Sequence, residues 1–403
     1  MRFLFVVFPE PGHLHPMLAV AQHLARDGHD VAFFSMEDLA PRLAAAGLSA
    51  RCDFAAAGVR EGPRPARSRD LAELLSRPAL ARRWYRYVIL TQVPPQIAAL
   101  RDVVRAARPD VIAIDPLAYA GVVVAEQEQI PWASISTQLL ALTPPGFSCP
   151  YLEYLGDLAT DRDRLLAVAG VAARFELGEA VSPWLSTVFA TEAFAPADRR
   201  GRHAICVGPP SPLGPRGDER PFPWERLRGG VPLVYASFGS QLAPAAAVYE
   251  ALERALPPDE ADLVIAYNGQ EPPPTPPHVV AVAWAPQLAL LERAAAMVTH
   301  GGANSVTECL THGKPMLVVP LPADQPLQAC LVERSGAGLV LTPEAAAVPE
   351  TLAAALRALL ADGPLRRRAA ELGQSYAAAD GARRTAELLA LLGQTRTPIP
   401  IDA

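Results

Sequence analysis

Residues 296–308 read AMVTHGGANSVTE and predict a strand, a glycine turn and a helix in immediate succession. The strand is predicted over 296–299 and the helix over 303–312, with Gly301 and Gly302 between them. At such a junction the backbone N–H groups are unhindered by side chains and the positive end of the helix dipole is near, so the turn is suited to bind an anion. The stretch therefore indicates an α/β sheet with a ligand at its strand ends.

The same alternation of short apolar strands and helices extends in both directions from this stretch. Further strands are predicted at 233–238, 263–267, 279–283 and 316–319. Further helices are predicted at 244–256, 325–335, 349–361 and 364–377. An earlier series has strands at 3–8, 31–35, 111–114 and 132–136. Its first helix is expected to begin at Pro16, after a loop that contains His13. Continuous apolar strands joined by helices predict two doubly wound parallel sheets.

A proline-rich segment separates the two series. Residues 207–215 read VGPPSPLGP, which sustains neither a helix nor a central strand. We therefore predict an N-terminal domain at 1–206, a linker at 207–232 and a second domain at 233–380. Residues 381–403 are predicted to form a last helix, which either stays with the second domain or crosses back to the first, and a loose tail.

Composition limits the classes of protein to which this chain can belong. Of its 403 residues 50% are apolar and 19% charged, which is enough apolar material for two cores. A net charge of -6 argues against nucleic acid or an anionic membrane as the main partner. The five cysteines lack Cys-x-x-Cys spacing, which is typical of free thiols in the cytosol. With no signal peptide or membrane span evident, we expect a cytoplasmic monomer or homodimer.

Polar and aromatic residues around the glycine turn have the chemistry needed to bind a nucleotide sugar. Asn304, Ser305 and His300 offer hydrogen-bond donors to a diphosphate. Glu308, one turn into the helix, is placed to accept hydrogen bonds from a ribose diol, and Trp284 offers a flat face to a base. Each has a structural alternative: Ser305-x-x-Glu308 also fits a capping box, and an isolated Trp is more often buried in a core.

From Trp284 to Gln325 the sequence resembles the nucleotide-sugar signature of the UDP-glycosyltransferase superfamily, whose members include plant and bacterial natural-product glycosyltransferases. Two departures from the plant pattern are Ala303, where those proteins usually have Trp, and Gln328, where they usually have Asn. The resemblance implies the GT-B fold, in which two Rossmann-like domains face each other across a cleft. The donor-binding residues that it implies are Ser240, Trp284, Gln287, His300, Gly302, Asn304, Ser305, Glu308, Asp324 and Gln325.

A second pair of residues, in the first series, is expected to be catalytic. Gly12-His13 matches the family's Gly-His motif, and Asp115 matches the aspartate that orients the histidine. A neutral imidazole is a suitable general base near pH 7, and a carboxylate on its other nitrogen fixes the tautomer. The helix dipole lowers the pKa of such a histidine and the aspartate raises it. The alternative is that His13 and His15 are loop residues that only pack against the second domain.

Together these features predict an inverting, metal-independent glycosyltransferase without a cofactor. UDP-glucose is the favoured donor, a dTDP-deoxysugar is the second, and the acceptor is a small apolar natural product. Residues 56–80 and 143–190 are either an acceptor pocket or surface insertions. Asp161-Arg162-Asp163 has the form of a metal motif but is interpreted as a solvated charge cluster. The alternatives are a nucleotide-sugar epimerase of the same fold and a non-catalytic binding protein.

Overall fold

Consecutive buried apolar residues form the strands of two separate parallel sheets. The computed structural model describes residues 1–54, 68–194 and 203–401. The first sheet has the strand order β3-β2-β1-β4-β5-β8-β9. Its strands are β1 (Arg2–Val6), β2 (Asp30–Ser35), β3 (Arg51–Phe54), β4 (Val111–Ile114), β5 (Trp132–Ser136), β8 (Leu185–Val188) and β9 (Ile205–Cys206). An antiparallel hairpin, β6 (Arg174–Glu176) and β7 (Glu179–Val181), lies beside it.

The second sheet repeats the plan with the order β12-β11-β10-β13-β14-β15. Its strands are β10 (Leu233–Ser237), β11 (Asp262–Ala266), β12 (Val279–Val282), β13 (Ala296–Thr299), β14 (Met316–Val318) and β15 (Gly338–Val340). In each sheet the strand order reverses between two neighbouring parallel strands, β1 and β4 in the first and β10 and β13 in the second. Ligands of open α/β sheets bind at such switch points, beyond the carboxyl ends of the strands.

Helices cover both sheets. In the first half they are α1 (Pro11–Arg26), α2 (Ala40–Ala45), α3 (Ser68–Ser76), α4 (Pro78–Arg86), α5 (Val93–Ala107), α6 (Tyr119–Gln127), α7 (Pro150–Asp157) and α8 (Ala159–Ala169). In the second half they are α9 (Ala246–Ala255), α10 (Gln287–Arg293), α11 (Ala303–Thr311), α12 (Gln325–Ser335), α13 (Pro343–Ala346), α14 (Pro349–Leu360), α15 (Pro364–Ala377) and α16 (Gly381–Thr395). A π-helical turn, Tyr87–Thr91, joins α4 to α5. The predicted fold class, with two doubly wound parallel sheets, is confirmed.

The first helix begins earlier than predicted. It starts at Pro11, so Pro16 lies inside it and His13 lies in its first turn rather than in a loop. Proline has no N–H to donate, so the carbonyl of Gly12, four residues before Pro16, is left without its helical partner. Asn304 of the second half donates to this carbonyl from Nδ2 at 3.2 Å. The break in the helical ladder thus supplies an acceptor for a contact between the two halves.

The last helix packs on the first sheet. The buried face of α16, including Leu389 and Leu392, shares one apolar cluster with Met17 of α1 and Val111 of β4. Beyond the helix the N–H of Ile399 donates to the carbonyl of Trp184 at 2.7 Å, and the Ile399 side chain is buried. The tail that was predicted to be loose from Gln394 is helical to Thr395 and is held again at Ile399, whereas residues 396–398 between them are exposed.

Residues 207–232 connect the end of β9 to the start of β10. The domain limits drawn from the sequence remain a prediction. The segment at 143–190 contains α7, α8, the β6–β7 hairpin and strand β8. Of the segment at 56–80, residues up to 67 lie outside the described part, and the rest forms α3 and the start of α4. No helix in the described ranges is both long and apolar enough to cross a membrane.

Candidate functional site

The ends of β1 and β4 bring His13 and Asp115 together. His13 lies in the turn of helix that follows β1, and Asp115 directly follows the neighbouring strand β4. His13 Nδ1 lies 2.6 Å from Asp115 Oδ2. The Asp115 carboxylate is buried, and its other oxygen accepts from the N–H of Leu117 at 3.1 Å. Because Nδ1 is engaged by the carboxylate, Nε2 is the ring nitrogen left for another molecule.

Thr137 is a third member of this group that the sequence analysis missed. Its hydroxyl donates to Asp115 Oδ2 at 3.1 Å and lies 3.0 Å from His13 Nδ1. Thr137 follows β5, which is the neighbour of β4 in the sheet. The rule that polar residues meet at adjacent strand ends would have identified it.

The surroundings of His13 favour its protonated form. Burial lowers the pKa of His13, but the nearby Asp115 carboxylate, together with Glu10 and Asp324, more than offsets this and raises the pKa to about 9. Burial raises the pKa of Glu10, whose Oε2 has no hydrogen-bond partner among the described residues. Without a substrate at neutral pH, His13 is therefore mainly an imidazolium paired with Asp115.

All ten residues predicted to bind the donor line one cavity of about 220 Å³. His13 lines the same cavity, so it opens between the carboxyl ends of the two sheets. On the second sheet, Ser240 belongs to the turn after β10 and His300 follows the neighbouring strand β13. This is the strand-end position at which the glycine turn was expected to hold an anion.

Two glycines make room for the His300 ring. A Cβ atom on Gly239 would lie 2.6 Å from His300 Nε2, and one on Gly302 would lie 2.5 Å from it. Any other residue at either position would displace the imidazole. Burial lowers the pKa of His300 to about 4, so the ring is neutral at pH 7. A neutral ring has one N–H to donate, which suits a phosphate oxygen.

Trp284 is a surface residue rather than a core residue, so the structural alternative for it is wrong. Its side chain is 44% exposed. One part of the indole rests on Gly269, where a Cβ atom would lie 2.5 Å from Cζ2. With one side supported and another open to the cavity, the indole offers a flat platform to a ring such as a nucleobase.

The capping-box alternative for Ser305 and Glu308 is also wrong. The residue before the first turn of α11 is Gly302, so Ser305 lies inside the helix and does not cap it. Gln287 Nε2 donates to Glu308 Oε2 at 2.7 Å and lies 3.3 Å from Ser305 Oγ. The two residues predicted to hold the ribose are thus in direct contact.

The cavity has further residues that the sequence analysis did not assign. Arg216 and Asp218 of the connecting segment line it, as does His15, whose Nδ1 lies 4.0 Å from Asp218 Oδ2. Arg216 Nη1 donates to Glu308 Oε1 at 2.6 Å. No local pattern marks Arg216, because its partner is 92 residues away.

Asp324 and Gln325 lie at the start of α12, where sugar-binding residues were expected. Asp324 Oδ2 accepts from Gln328 Nε2 at 2.8 Å, and Gln325 Oε1 accepts from the N–H of Leu321 at 2.9 Å. Burial raises the pKa of Asp324. Gln328, one of the departures from the plant pattern, thus fixes the Asp324 carboxylate.

A second cavity of about 880 Å³ adjoins the first. The two share His13, Asp324 and Gln325. Apolar and aromatic side chains form most of its wall, among them Phe8, Met36, Leu71, Leu75, Trp84 and Tyr151. Helices α3 and α4 and the π-helical turn contribute to this wall. The described part of the 56–80 segment therefore lines a cavity, and binding of the acceptor there stays a prediction.

The Asp161-Arg162-Asp163 cluster lies on α8 and forms ion pairs at the surface. Asp161 pairs with Arg86, and Asp163 Oδ1 lies 2.9 Å from Arg162 Nη2. In the described part of the chain no group of three or more His, Cys, Asp or Glu side chains is arranged to hold a metal ion.

Comparison with known proteins finds enzymes that are similar to this chain. Residues 259–390 match the family model described as "Erythromycin biosynthesis protein CIII-like, C-terminal domain". The oleandomycin glycosyltransferase of Streptomyces antibioticus is 27% identical, over 94% of this chain and 87% of that protein. The 4'-demethylrebeccamycin synthase of Lentzea aerocolonigenes is 26% identical, over 94% of this chain and 96% of that protein.

The fold extends the similarity to solved structures. The crystal structure of the kitacinnamycin glycotransferase matches with a TM-score of 0.74 and 26% identity. The match covers 96% of this chain and 97% of that one. Both halves of the molecule, and not only the segment after Trp284, therefore resemble these enzymes.

Proposed function

This chain is a glycosyltransferase with the GT-B fold, similar to natural-product glycosyltransferases over most of its length, and on that premise we propose an inverting sugar transfer to a small apolar acceptor. One observation supports this most directly. His13, paired with Asp115, lies where the cavity lined by the predicted donor residues meets the larger apolar cavity. A general base is needed at the point where the acceptor hydroxyl meets the sugar.

The proposed step moves one proton and exchanges one bond. The acceptor hydroxyl gives its proton to His13 Nε2 as its oxygen attacks the anomeric carbon. The bond from that carbon to the diphosphate oxygen breaks, and its electron pair leaves with the nucleoside diphosphate. Asp115 stabilises the imidazolium that forms. His300 and the N–H groups at the start of α11 stabilise the charge that develops on the leaving diphosphate.

UDP-glucose is the donor we propose first, because the Asp324-Gln325 pair resembles that of glucose-using family members. A deoxysugar on dTDP is the second. In either case Trp284 stacks on the base and the turn from His300 to Ser305 holds the diphosphate. Gln287 and Glu308 hold the ribose of UDP, or the 3′-hydroxyl of the deoxyribose in dTDP.

For the acceptor we propose an apolar natural product such as a polyketide, macrolide, flavonoid or carotenoid. The adjoining cavity supports this class through its volume and its aromatic wall. Buried apolar surface stabilises such a ligand by roughly 25 cal/mol for each Å² removed from water. The few polar groups near His13 then orient the reacting hydroxyl.

The deciding experiment incubates the protein with UDP-glucose alone, then with a panel of apolar acceptors, and identifies products by mass spectrometry. We expect an acceptor with the mass of one added hexose, and UDP, only when both substrates are present. A changed sugar nucleotide formed without an acceptor would indicate an epimerase. Binding of the donor with no turnover of UDP-glucose or a dTDP-deoxysugar across the panel would indicate a non-catalytic protein.

Chelation tests the proposed stabilisation of the leaving group. If helix N–H groups and His300 are sufficient, we expect transfer to continue unchanged after exhaustive treatment with EDTA. Loss of activity that Mg²⁺ or Mn²⁺ restores would contradict this part of the proposal. Thermal melting in EDTA is the control for an effect on folding.

A further inference from the structure

Arg216 is the only Lys or Arg among the described residues that line the donor cavity. Its side chain is 10% exposed and contacts two carboxylates at once. Nε and Nη2 form a two-pronged pair with Asp218, at 3.1 Å and 3.0 Å. The remaining nitrogen, Nη1, donates to Glu308 Oε1 at 2.6 Å. Three of the five guanidinium N–H groups are therefore taken by carboxylates of the protein.

The backbone around Arg216 is fastened to the first half of the molecule. Gln22 of α1 donates to the carbonyl of Pro215 at 2.8 Å and accepts from the N–H of Leu213 at 3.0 Å. Gly217 has φ +82°, and a Cβ there would lie 2.8 Å from the Cβ of Ala45. Glu219 accepts from the N–H groups of Arg216 and Gly217, at 2.7 Å and 2.9 Å. The turn at 213–219 is thus held against α1 and the end of α2.

Glu308 belongs to α11, which is part of the second half. Its Oε2 accepts from Gln287, a neighbour in the same half, whereas its Oε1 accepts from Arg216. The position of Glu308 Oε1 is consequently set by Arg216, whose backbone is held against the first half by hydrogen bonds. Arg is suited to this task because its planar fork holds Asp218 and Glu308 in fixed directions, which a single Lys ammonium cannot do.

We propose that Arg216 is a positioning residue for the ribose subsite, and that through it the first half of the molecule fixes the carboxylate that receives the ribose hydroxyls. The ligand class is a nucleoside diphosphate with a free ribose diol. The inference rests on the proposed function, because it takes Glu308 to be the ribose acceptor.

The test compares nucleotide binding by the full chain, measured by calorimetry, for UDP and for 2′,3′-dideoxy-UDP, which lacks both ribose hydroxyls. In Arg216→Ala we expect the Kd for UDP to rise about tenfold or more, since truncating one member of a buried charge pair leaves the other misplaced. The Kd for 2′,3′-dideoxy-UDP is expected to stay unchanged. Arg216→Lys is expected to recover only part of the affinity for UDP.

Arg228→Ala is the matched control. Arg228 lies in the same connecting segment and pairs with a carboxylate of the second sheet, Asp262, at 2.7 Å, but it does not line the donor cavity. Its removal is expected to leave both Kd values unchanged. If Arg216→Ala does not fold, Arg216→Lys and Arg216→Gln give the same comparison.

Three results would overturn the inference. Unchanged binding of UDP would show that Arg216 has no role in the site. An equal loss for both nucleotides would show direct contact with the base or diphosphate. Tighter binding of UDP would show that Arg216 competes with the ribose. Failure of the proposed function is distinguished by measurements on the wild-type protein. In that case the wild type itself would bind UDP weakly or transfer no sugar, whatever result the Arg216 variants give.

Discussion

The proton on His13 controls the proposed chemistry at the scale of single residues. With its pKa raised to about 9, His13 is mainly protonated at pH 7, and only the neutral fraction is able to accept a proton. We therefore expect kcat/KM of the wild type to rise with pH between 7 and 9. Asp115→Asn removes the charge that raises the pKa, so the rising limb is expected to move to lower pH, and the plateau to fall because the imidazolium loses its partner.

The pH profile of kcat/KM measures both effects. Asp110→Asn is the control, because Asp110 precedes β4, accepts from the N–H of Arg2 and lies at the opposite end of that strand. Its profile is expected to match the wild type. If kcat/KM of Asp115→Asn rises over the same pH range as in the wild type, a group other than His13 controls the rise.

Removal of the imidazole is the direct test of the base. His13→Ala is expected to lower kcat by about 10²–10⁴, the usual range for loss of a general base. His29→Ala, which changes a histidine that packs against Phe3 instead, serves as control. Near-normal turnover of an alcohol acceptor by His13→Ala would remove His13 from the mechanism.

The sequence predicted some residues of the candidate site and missed others. The residues from Trp284 to Gln325 were found because they lie on one short stretch with a recognisable pattern. Thr137 and Arg216 were missed because their partners lie on elements distant in the chain. Thr137 was predictable from its place after β5, whereas Arg216 required the path of the connecting segment, which local sequence does not determine.

At the scale of elements, nine strands of the two parallel sheets were predicted, whereas β3, β8, β9 and β15 were not. Strand β8 was missed because its buried residues include Ser186 and Thr187. The start of α1 was misplaced because Pro11 and Pro16 both suit a first helical turn, and only the structure shows that Asn304 satisfies the carbonyl freed by Pro16. Tertiary contacts decided both cases.

The β6–β7 hairpin places a buried carboxyl group near the His13–Asp115 pair. Glu179 of β7 accepts from the Ser136 hydroxyl at 2.7 Å, and burial raises its pKa to about 8. Folded protein therefore keeps a proton that the unfolded chain loses above its ordinary pKa of 4.5. As the pH rises from 4.5 to about 8, the free energy of unfolding is expected to fall, by up to about 1.4 kcal/mol for each pH unit.

Glu179→Gln, which stays neutral, is expected to lack this decline, so its Tm relative to wild type should increase from pH 5 to pH 8. Thermal melting across that range measures the difference. Glu176→Gln is the control in the same hairpin, because Glu176 is half-exposed and pairs with Arg174 at the surface. A Tm difference for Glu179→Gln that does not change with pH would show that Glu179 is ionised in the folded protein.

At the scale of the whole molecule, the last helix belongs to the core of the first half. Leu389 is fully buried in that core, whereas Leu391 on the same helix is 44% exposed. We expect Leu389→Ala to lower the free energy of unfolding by about 2–5 kcal/mol, through lost burial and the cavity it leaves. Leu391→Ala is expected to change it by less than about 0.5 kcal/mol.

Chemical denaturation of both variants provides the measurement. Equal effects for the two leucines would contradict the packing of α16 on α1 and β4. The sequence predicted this helix but left its position open, because an amphipathic pattern shows that one face is buried and not which surface covers it.

The return of α16 to the first sheet also determines the order in which the molecule can be completed during synthesis. The ribosome releases α1 and β4 early, but the apolar residues of α16 that cover them emerge only after the whole second sheet. The second sheet, made later, has its own cluster of buried residues, to which α16 does not contribute. Until α16 is made, the nascent first half lacks the helix that covers this apolar surface, and a ribosome that stops before residue 381 releases a chain whose first core remains open.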